Sequence, residues 1–298
     1  MDKEYLLSHE LIDWEAGFNP TTGEQIVLTD SSGKPWYQGR YKQVTFKIFD
    51  DSYKVNKKII FSPEKYFRAG VYHYNPITEL DFRSLIKELF NKFNLDPYKT
   101  YVKNLDVRCD IRLDSFWKVN TILEHPFFHF SQHGKYRGSD LSRFKNGGIQ
   151  RKVVRDTFEL KEYNKSYDIC DKGGNILRLE CKTKVMRDLN NNLKLPKKHK
   201  LSVVEVYNYW YKIKEYKRKK LKQCFFFDYR LCDHDPALYK KYSNAMFWDN
   251  LTGDSKKPAD MKKYHKAVKR ELSNYKSICD KYGLQLNNWI NWAIDNNI

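Results

Sequence analysis

The stretch LDVRCDIRLD, residues 105–114, decides the fold because apolar and charged residues alternate along its whole length. Side chains of a strand point alternately to the two faces of a sheet. The apolar set is Leu105, Val107, Cys109, Ile111 and Leu113. The charged set is Asp106, Arg108, Asp110, Arg112 and Asp114. The pattern predicts a strand of an antiparallel sheet that packs on its apolar side and leaves its charged side open.

Other stretches extend this sheet. NILRLECKTK, residues 175–184, shows the same alternation, and TFELKEYNKSY, residues 157–167, is a less regular third strand. QVTFKIF and KKIIFS, at 43–49 and 57–62, also read as strands. From residue 201 onward the pattern is mostly helical. We predict an α+β protein, with a largely antiparallel sheet that has one charged open face, helices behind it, and a helical C-terminal region.

A helix is predicted over residues 78–94, where Thr78 is a suitable N-cap. Apolar residues recur there near helical spacing and predict the buried side. They are Leu80, Leu85, Ile86, Leu89, Phe90 and Phe93. SPEKYF, residues 62–67, predicts a turn or short helix that begins at Ser62 and Pro63.

The composition indicates a polyanionic partner. The chain has 298 residues and a formal net charge of +18, and 16% of its residues are aromatic. Nucleic acid is the commonest partner of such an excess, and aromatic rings can stack on bases. The alternative is a basic protein with an aromatic core and no nucleic acid. Two domains are predicted, residues 1–190 and a basic, mainly helical region 191–298, which could pack as one unit.

Residues 194–222 carry the densest charge, with ten Lys and one Arg against two Glu. A helix here would place Val203, Val206, Ile213 and either Tyr209 or Trp210 inward and its basic residues outward. We expect Lys197, Lys198 and Lys200 to bind DNA phosphates. A solvated amphipathic helix is the alternative.

Several classes of protein are disfavoured. No run of about 18 apolar residues occurs, so no membrane span is expected, and the opening residues show no secretion signal. The six cysteines form no C-x-x-C pair, which favours a reducing cytoplasm. His125, His129 and His133 recur every four residues, but Pro126 and the phenylalanines favour strand and loop, which would separate them. No P-loop motif is present, so unwinding would need a partner helicase.

The charged face could carry chemistry. If the strands at 105–114 and 176–184 are neighbours, carboxylates at 110, 114 and 180 could sit together and bind Mg²⁺ or Mn²⁺. In a continuous strand, Tyr163, Lys165 and Tyr167 would share this face, and a tyrosine there could attack a phosphate. Cross-strand ion pairs on an exposed face are the alternative.

Short motifs in the same order resemble those of rolling-circle replication initiators. VRCDIRLD, then YNKSYD, then LRLECKTK resemble the R-x-D-x-x-x-D, I-Y-N-K-x-x-E and R-V-E-x-x-x-K strands of staphylococcal-type (Rep_trans) plasmid initiators. They are also similar to motifs of the gene II replication endonucleases of filamentous phages, as is FKIF…KKIIFSPEKYF upstream. The resemblance covers about residues 41–190.

The resemblance implies a role for individual residues. Tyr163 matches the nicking tyrosine, and Asp110 and Glu180 match the acidic metal positions, with Asp114 as a third candidate. The basic positions are matched by Arg108, Lys165, Arg178 and Lys184. Two residues depart from the pattern: Asp168 stands where the family has Glu, and Glu162 replaces the apolar residue before the tyrosine. Strand alternation predicts that Glu162 points to the opposite face from Tyr163.

The function implied is replication initiation for a phage or plasmid in a bacterial cytoplasm. The domain of residues 1–190 would nick one strand of a single-stranded or supercoiled origin and later rejoin it. Tyr163 would become linked to the 5′ end, and the freed 3′ hydroxyl would prime a host polymerase. Two alternatives remain: a DNA-binding protein of this fold that does not cut, and a metal-dependent nuclease that uses water while Tyr163 is structural.

Overall fold

The computed structural model describes residues 3–14, 17–18, 25–26, 28–29, 35–49, 57–69, 76–114, 116–130, 136–143, 148–168, 175–252 and 258–298. The chain forms two compact units. The first is Met1–Tyr101 with Ser202–Asn208, and the second is Val102–Leu201 with Tyr209–Ile298. Helices and antiparallel sheets are both present, which confirms the predicted α+β class.

The helices are α1 (Lys3–Leu7), α2 (Pro63–Phe67), α3 (Glu79–Lys92), α4 (Val119–Glu124), α5 (Lys165–Asp168), α6 (Met186–Asn192), α7 (Val203–Asn208), α8 (Trp210–Lys222), α9 (Leu231–His234), α10 (Pro236–Ser243), α11 (Ala245–Thr252), α12 (Pro258–Tyr282) and α13 (Leu286–Asn297). The strands are β1 (Asp13–Trp14), β2 (Gly17–Phe18), β3 (Gln25–Ile26), β4 (Leu28–Thr29), β5 (Pro35–Tyr41), β6 (Val44–Phe49), β7 (Lys57–Phe61), β8 (Asp106–Arg112), β9 (Phe128–Phe130), β10 (Tyr136–Gly138), β11 (Asp140–Arg143), β12 (Ile149–Val154), β13 (Phe158–Asn164), β14 (Ile176–Thr183) and β15 (Cys224–Phe225). Among the described residues no helix is both long and apolar enough to cross a membrane.

The first unit contains an antiparallel sheet of order β1-β5-β6-β7, with β4 paired to β5. β6 and β7 confirm the predicted strands at 43–49 and 57–62. β6 buries Val44, Phe46 and Ile48, because every second side chain points to the core. A second, two-stranded sheet pairs β2 with β3.

The predicted helix over 78–94 is confirmed as α3. Its N-terminus is a capping box: the Asp81 backbone N–H donates to the Thr78 hydroxyl at 3.1 Å, and the Thr78 N–H donates to the Asp81 carboxylate at 3.0 Å. The prediction that Leu80 is buried is wrong, since 75% of its surface is exposed. Leu80 precedes Leu85 by five positions, which rotates it about 140° around a helix of 3.6 residues per turn.

The second unit is built on an antiparallel sheet of order β11-β12-β13-β14-β8. The predicted strands at 105–114 and 175–184 are therefore neighbours, β8 and β14. The apolar face packs on α4, α8 and α13. Its core includes Cys109, Ile111, Leu160, Leu177, Leu179, Leu123, Leu221 and Ile290. The C-terminal helices α8 and α13 thus complete the core of the sheet.

The division into units differs from the predicted boundary between residues 190 and 191. That boundary falls inside α6, and residues on both sides of it belong to the second unit. The physical reason is packing, because α8 and α13 cover part of the apolar face of the sheet together with α4. The predicted helical character of the C-terminal region is confirmed.

The basic stretch 194–222 is a connection followed by two helices. Residues 193–201 are non-helical, and α7 and α8 are separated at Tyr209, which is half-buried together with Trp210. Val203, Val206 and Ile213 are buried, as predicted.

This unit has a second core, which is rich in aromatic residues and packs on a small sheet of order β10-β9-β15. Its buried members are Phe128, Phe227, Tyr242, Trp248 and Tyr275 with Leu231, Cys279 and Leu284. His129 in β9 is buried and accepts through Nδ1 from Arg155 Nε at 3.2 Å. Burial and the Arg155 charge lower the pKa of His129 to about 3. His129 is therefore a neutral core residue, His125 lies after α4, and His133 lies outside the described residues.

Candidate active site

Three neighbouring strands bring five of the predicted site residues together on one side of the sheet. Arg178 of β14 lies opposite Asp110 of β8 on one side and opposite Tyr163 of β13 on the other. Glu180, two residues further along β14, lies opposite Arg108. We call the side of the sheet that bears these five residues the charged face. Their convergence confirms the predicted strand neighbourhood.

The Tyr163 hydroxyl is held by two of these neighbours. It donates a hydrogen bond to Glu180 Oε1 at 2.7 Å, and Arg178 Nη1 donates to the hydroxyl oxygen at 3.5 Å. The Arg178 guanidinium carbon also lies 5.9 Å from the centroid of the tyrosine ring. A carboxylate that accepts the phenolic proton and a cation at the oxygen are the two groups that a tyrosine nucleophile needs.

Asp110 is bound from both sides by arginine. Arg178 donates through Nε at 2.5 Å and through Nη2 at 2.6 Å to the two carboxylate oxygens. Arg108 Nη2 lies 3.7 Å from Asp110 Oδ2. The side chains of Asp110 and Arg178 are 2% and 5% exposed, so this is a buried bidentate ion pair. The charged face is therefore less open than predicted, since Tyr163 is also buried.

The site perturbs the pKa of several of its groups. Burial and the nearby Glu180 charge raise the pKa of Tyr163, against the opposing effect of Arg178. Burial would lower the pKa of Arg178, but its hydrogen bonds and charge interaction with Asp110 raise it above its usual value. Burial lowers the pKa of Arg108 to about 10, against the effect of Asp110. The resting site thus holds a protonated phenol beside two arginines.

Glu162 points away from the charged face, as strand alternation predicts. It lies opposite Arg151 of β12 and is fully buried on the apolar side. Neither carboxylate oxygen has a hydrogen-bond partner among the described residues. Burial raises the pKa of Glu162 well above its usual value, against the effect of Arg151. Glu162 therefore adds no charge beside the Tyr163 hydroxyl.

The prediction that Tyr163, Lys165 and Tyr167 share a strand face is wrong. β13 ends at Asn164, and α5 begins at Lys165. Asn164 causes the change because its side-chain oxygen accepts from the Ser166 backbone N–H at 3.0 Å and stabilises a turn. Lys165 is buried in α5 and so does not continue the row of the charged face. The side chain of Tyr167 lies outside the described residues.

Two predicted residues lie apart from the five that define the charged face. Asp114 is four residues beyond Asp110, about 13 Å in extended chain, and its carboxylate accepts from the Phe116 backbone N–H at 2.9 Å. Lys184 is six residues from Arg178, about 20 Å, where its ammonium donates to the Arg155 carbonyl at 3.2 Å. Neither residue is close to Tyr163, Arg178 and Asp110, because Asp114 follows the end of β8 and Lys184 follows the end of β14.

The two carboxylates predicted to bind a divalent ion, Asp110 and Glu180, are bound by other side chains on the charged face. Both Asp110 oxygens accept from Arg178, and one Glu180 oxygen accepts from Tyr163. Within the described segments no three His, Cys, Asp or Glu residues are grouped in a way that could hold a metal ion. Ligation by Asp110 would need Arg178 to move, because direct ligation places oxygens at about 2.0–2.6 Å from the ion.

Sequence reasoning missed two lysines on the charged face. Lys152 of β12 lies directly opposite Lys161 of β13. Like charges opposite one another on a sheet cost stability, so their pairing suits a face that binds an anion. The Lys161 ammonium lies 3.1 Å from Glu159. Lys161 precedes Tyr163 by two residues, so alternation in KEYNK was the signal that would have identified it.

The predicted phosphate-binding lysines lie elsewhere in the second unit. Lys197, Lys198 and Lys200 are exposed in the connection between α6 and α7. Most basic residues in the C-terminal half of α8 form ion pairs with carboxylates of this protein. Lys222 binds Asp295 at 2.8 Å, and Lys220 binds Asp188 at 3.2 Å. Lys217 is fully buried, where its ammonium donates to the carbonyls of Leu105 and Cys181 and to the Thr183 hydroxyl.

No protein-family model matches this chain, and neither the curated proteins nor the solved structures that were compared with it include a match.

Proposed function

We propose that this protein nicks and rejoins a DNA strand through Tyr163 and thereby initiates rolling-circle replication. The observation that carries the proposal is the hydrogen bond of 2.7 Å from the Tyr163 hydroxyl to Glu180, with Arg178 on the same oxygen. The net charge of +18 and the opposed lysines of the charged face suit a phosphate backbone.

The chemistry is a transesterification. The Tyr163 oxygen forms a bond to the scissile phosphorus while the bond from phosphorus to the 3′ oxygen breaks. Glu180 takes the phenolic proton, and water donates the proton that converts the leaving 3′ oxygen to a hydroxyl. The tyrosine ester keeps the energy of the broken bond, so the reverse reaction rejoins the strand without ATP.

Arg178 and Arg108 stabilise the charge that develops on the phosphate. A guanidinium matches two phosphate oxygens as well as it matches a carboxylate. Both arginines lie at Asp110, which positions them next to Tyr163. Asp110 is thus a positioning residue for the arginines in this mechanism.

Mg²⁺ or Mn²⁺ remains part of the proposal as an ion that would compete with Arg178 for Asp110. When bound, such an ion would polarise a phosphate oxygen. The transesterification by Tyr163, Glu180 and the two arginines does not depend on this ion.

The biological setting is proposed on the resemblance of the motifs. The substrate would be a single-stranded or supercoiled origin of a phage or plasmid in a bacterial cytoplasm. A host helicase would supply the unwinding, and a host polymerase would extend the 3′ hydroxyl.

A second candidate is a DNA-binding protein of this fold that does not cut. Only 9% of the Tyr163 surface is exposed, and burial raises the pKa of its hydroxyl. Both facts suit a tyrosine with a structural role in the ion-pair network. A nuclease that uses water as its nucleophile would also leave Tyr163 with a structural role.

The test is covalent attachment. The protein is incubated with end-labelled single-stranded DNA libraries and Mg²⁺ or Mn²⁺, and adducts that survive denaturant are measured. We expect adducts from wild type and from Tyr167→Phe but none from Tyr163→Phe, whose DNA affinity should be unchanged. Cleavage without adducts would favour the water-dependent nuclease. Binding without cleavage would favour the second candidate. Adducts from Tyr163→Phe would overturn the choice of nucleophile.

A further inference from the structure

The surface of α13 exposes one large aromatic ring. Trp292 is 57% exposed, and its ring is stacked on that of Trp289 with centroids 5.2 Å apart and planes inclined by 27°. Exposing so much indole to water is costly, because an aromatic side chain gains much from burial. One face of Trp292 is thus supported by a second ring.

The stack continues into the protein. Trp289 lies 6.1 Å from Trp117, with planes inclined by 31°, and Trp117 is only 6% exposed. The Arg230 guanidinium lies 4.9 Å from the centroid of Trp117 and is held by Asp228 at 3.0 Å. We call Trp292, Trp289 and Trp117 the tryptophan row. Its inner end is fixed by a cation–π contact and an ion pair.

The helix beneath the row is rigidly anchored. Ile290, Ala293 and Ile294 are at most 2% exposed and belong to the core under the sheet. Cys109 of β8 donates through its thiol to the Ala293 carbonyl at 3.7 Å. α13 therefore packs against β8 on the apolar side of the sheet.

The surroundings of Trp292 are polar. Asn288, Asp295 and Asn296 share the outer side of α13 with it and are exposed. Asn296 donates from its amide to the Trp292 carbonyl at 2.7 Å. A single exposed ring among amide and carboxylate side chains differs from an apolar patch that another protein would cover, since such patches are contiguous.

We propose that Trp292 stacks on an unpaired base of single-stranded nucleic acid. Every base has a π face, so a rigid exposed indole binds bases without regard to sequence. The net charge of +18 supplies the attraction for the phosphate backbone. In duplex DNA the bases are already stacked on one another and leave no face for the indole. This site does not depend on cleavage at Tyr163.

The experiment compares Trp292→Ala with Trp292→Phe in the full-length chain, using fluorescence anisotropy of labelled oligo(dT). We expect Trp292→Ala to weaken oligo(dT) binding by about 5- to 150-fold, the range expected when one base is no longer stacked. Trp292→Phe should retain most of the affinity. Tyr211→Ala removes another exposed ring, 73% exposed, and should change little.

Two further ligands separate stacking from charge. An abasic oligonucleotide keeps the phosphates and lacks bases, so wild type and Trp292→Ala should bind it equally. Duplex DNA should also bind both proteins equally. An equal loss on oligo(dT) and duplex would overturn the proposal, as would unchanged oligo(dT) affinity in Trp292→Ala. A concentration-dependent dimer of wild type that Trp292→Ala abolishes would show that a second copy covers the ring instead.

Discussion

Arg178 binds both carboxylate oxygens of Asp110, at 2.5 and 2.6 Å, in a pair whose side chains are 5% and 2% exposed. The same guanidinium reaches the Tyr163 hydroxyl through its third nitrogen. One arginine therefore links a buried carboxylate to the proposed nucleophile. Asp110, Arg178 and Tyr163 therefore form one hydrogen-bonded network. Replacing one member removes a partner from the next, so the effects of single substitutions should not be additive.

The first prediction concerns the stability of this pair. Asp110→Ala should destabilise the protein by about 3–5 kcal/mol, because it removes the carboxylate that binds two nitrogens of the buried Arg178 guanidinium. The measurement is urea unfolding followed by tryptophan fluorescence. The control is Asp295→Ala, which breaks an ion pair whose side chains are 46% and 41% exposed. Such a pair contributes about 0–1 kcal/mol. Equal losses in the two variants would contradict a buried, structurally required pair.

The second prediction concerns metal binding in the absence of DNA. Because Arg178 occupies both oxygens of Asp110, we expect the free wild-type protein to bind Mn²⁺ weakly in calorimetry. Arg178→Gln should bind Mn²⁺ more tightly, since it removes the two hydrogen bonds that Arg178 donates to the Asp110 carboxylate together with a positive charge. Lys184→Gln removes a cation at the other end of β14 and should leave Mn²⁺ affinity unchanged. Tight binding by wild type would show that Arg178 yields Asp110 readily.

The third prediction follows from the buried Glu162. Its pKa is raised in the folded protein, so the neutral carboxyl is favoured by folding. The stability that the neutral form provides is complete below the unfolded value of about 4.3 and is lost as the pH rises toward the folded pKa. Stability should fall by up to about 1.4 kcal/mol per pH unit within that window. Glu162→Gln should remove this loss.

The measurement is the free energy of urea unfolding at several values of pH above 5. The difference between Glu162→Gln and wild type should grow with pH. Glu159→Gln is the matched control, because Glu159 lies three residues earlier on the same strand and is only partly buried beside Lys161. The growth of the difference with pH is expected for the fully buried position 162 and is compared with that at position 159. A flat difference for Glu162→Gln would mean that Arg151 fully compensates an ionised Glu162.

The neighbourhood of Asp110, Arg178 and Glu180 could be predicted from the sequence because period-two alternation places side chains on faces without knowledge of the whole fold. The position of Lys165 could not. It depends on a local hydrogen bond: the Ser166 backbone N–H donates to the Asn164 side chain, and the strand ends there. Cross-strand ion pairs on this face were the predicted alternative, and Arg178 and Asp110 form one. Which carboxylate an arginine binds could not be predicted, because alternation specifies only a face.

Charge density was a poor guide to exposed charge in α8. Lys217 is fully buried with three acceptors, and most of its basic neighbours are paired. One partner, Glu215, belongs to α8 itself, whereas Asp188 and Asp295 are distant in sequence and meet α8 only in the folded chain. A count of lysines therefore overestimates the positive charge that this helix offers to a phosphate.

The last prediction compares the exposed lysines between α6 and α7 with the lysines at the C-terminal end of α8. Replacing Lys197, Lys198 and Lys200 with Gln should weaken binding to all DNA sequences alike. The slope of log affinity against log salt should flatten by about 0.7–0.9 for each phosphate that a lysine no longer neutralises. Replacing Lys219, Lys220 and Lys222 with Gln removes the same number of charges from α8, but all three are in ion pairs, so we expect a smaller change of slope. Adduct formation at saturating DNA should survive in both variants, because Tyr163 and its neighbours lie on the sheet. Equal changes of slope would show that net charge alone attracts the DNA, whereas a loss confined to one sequence would make the connection between α6 and α7 part of origin recognition.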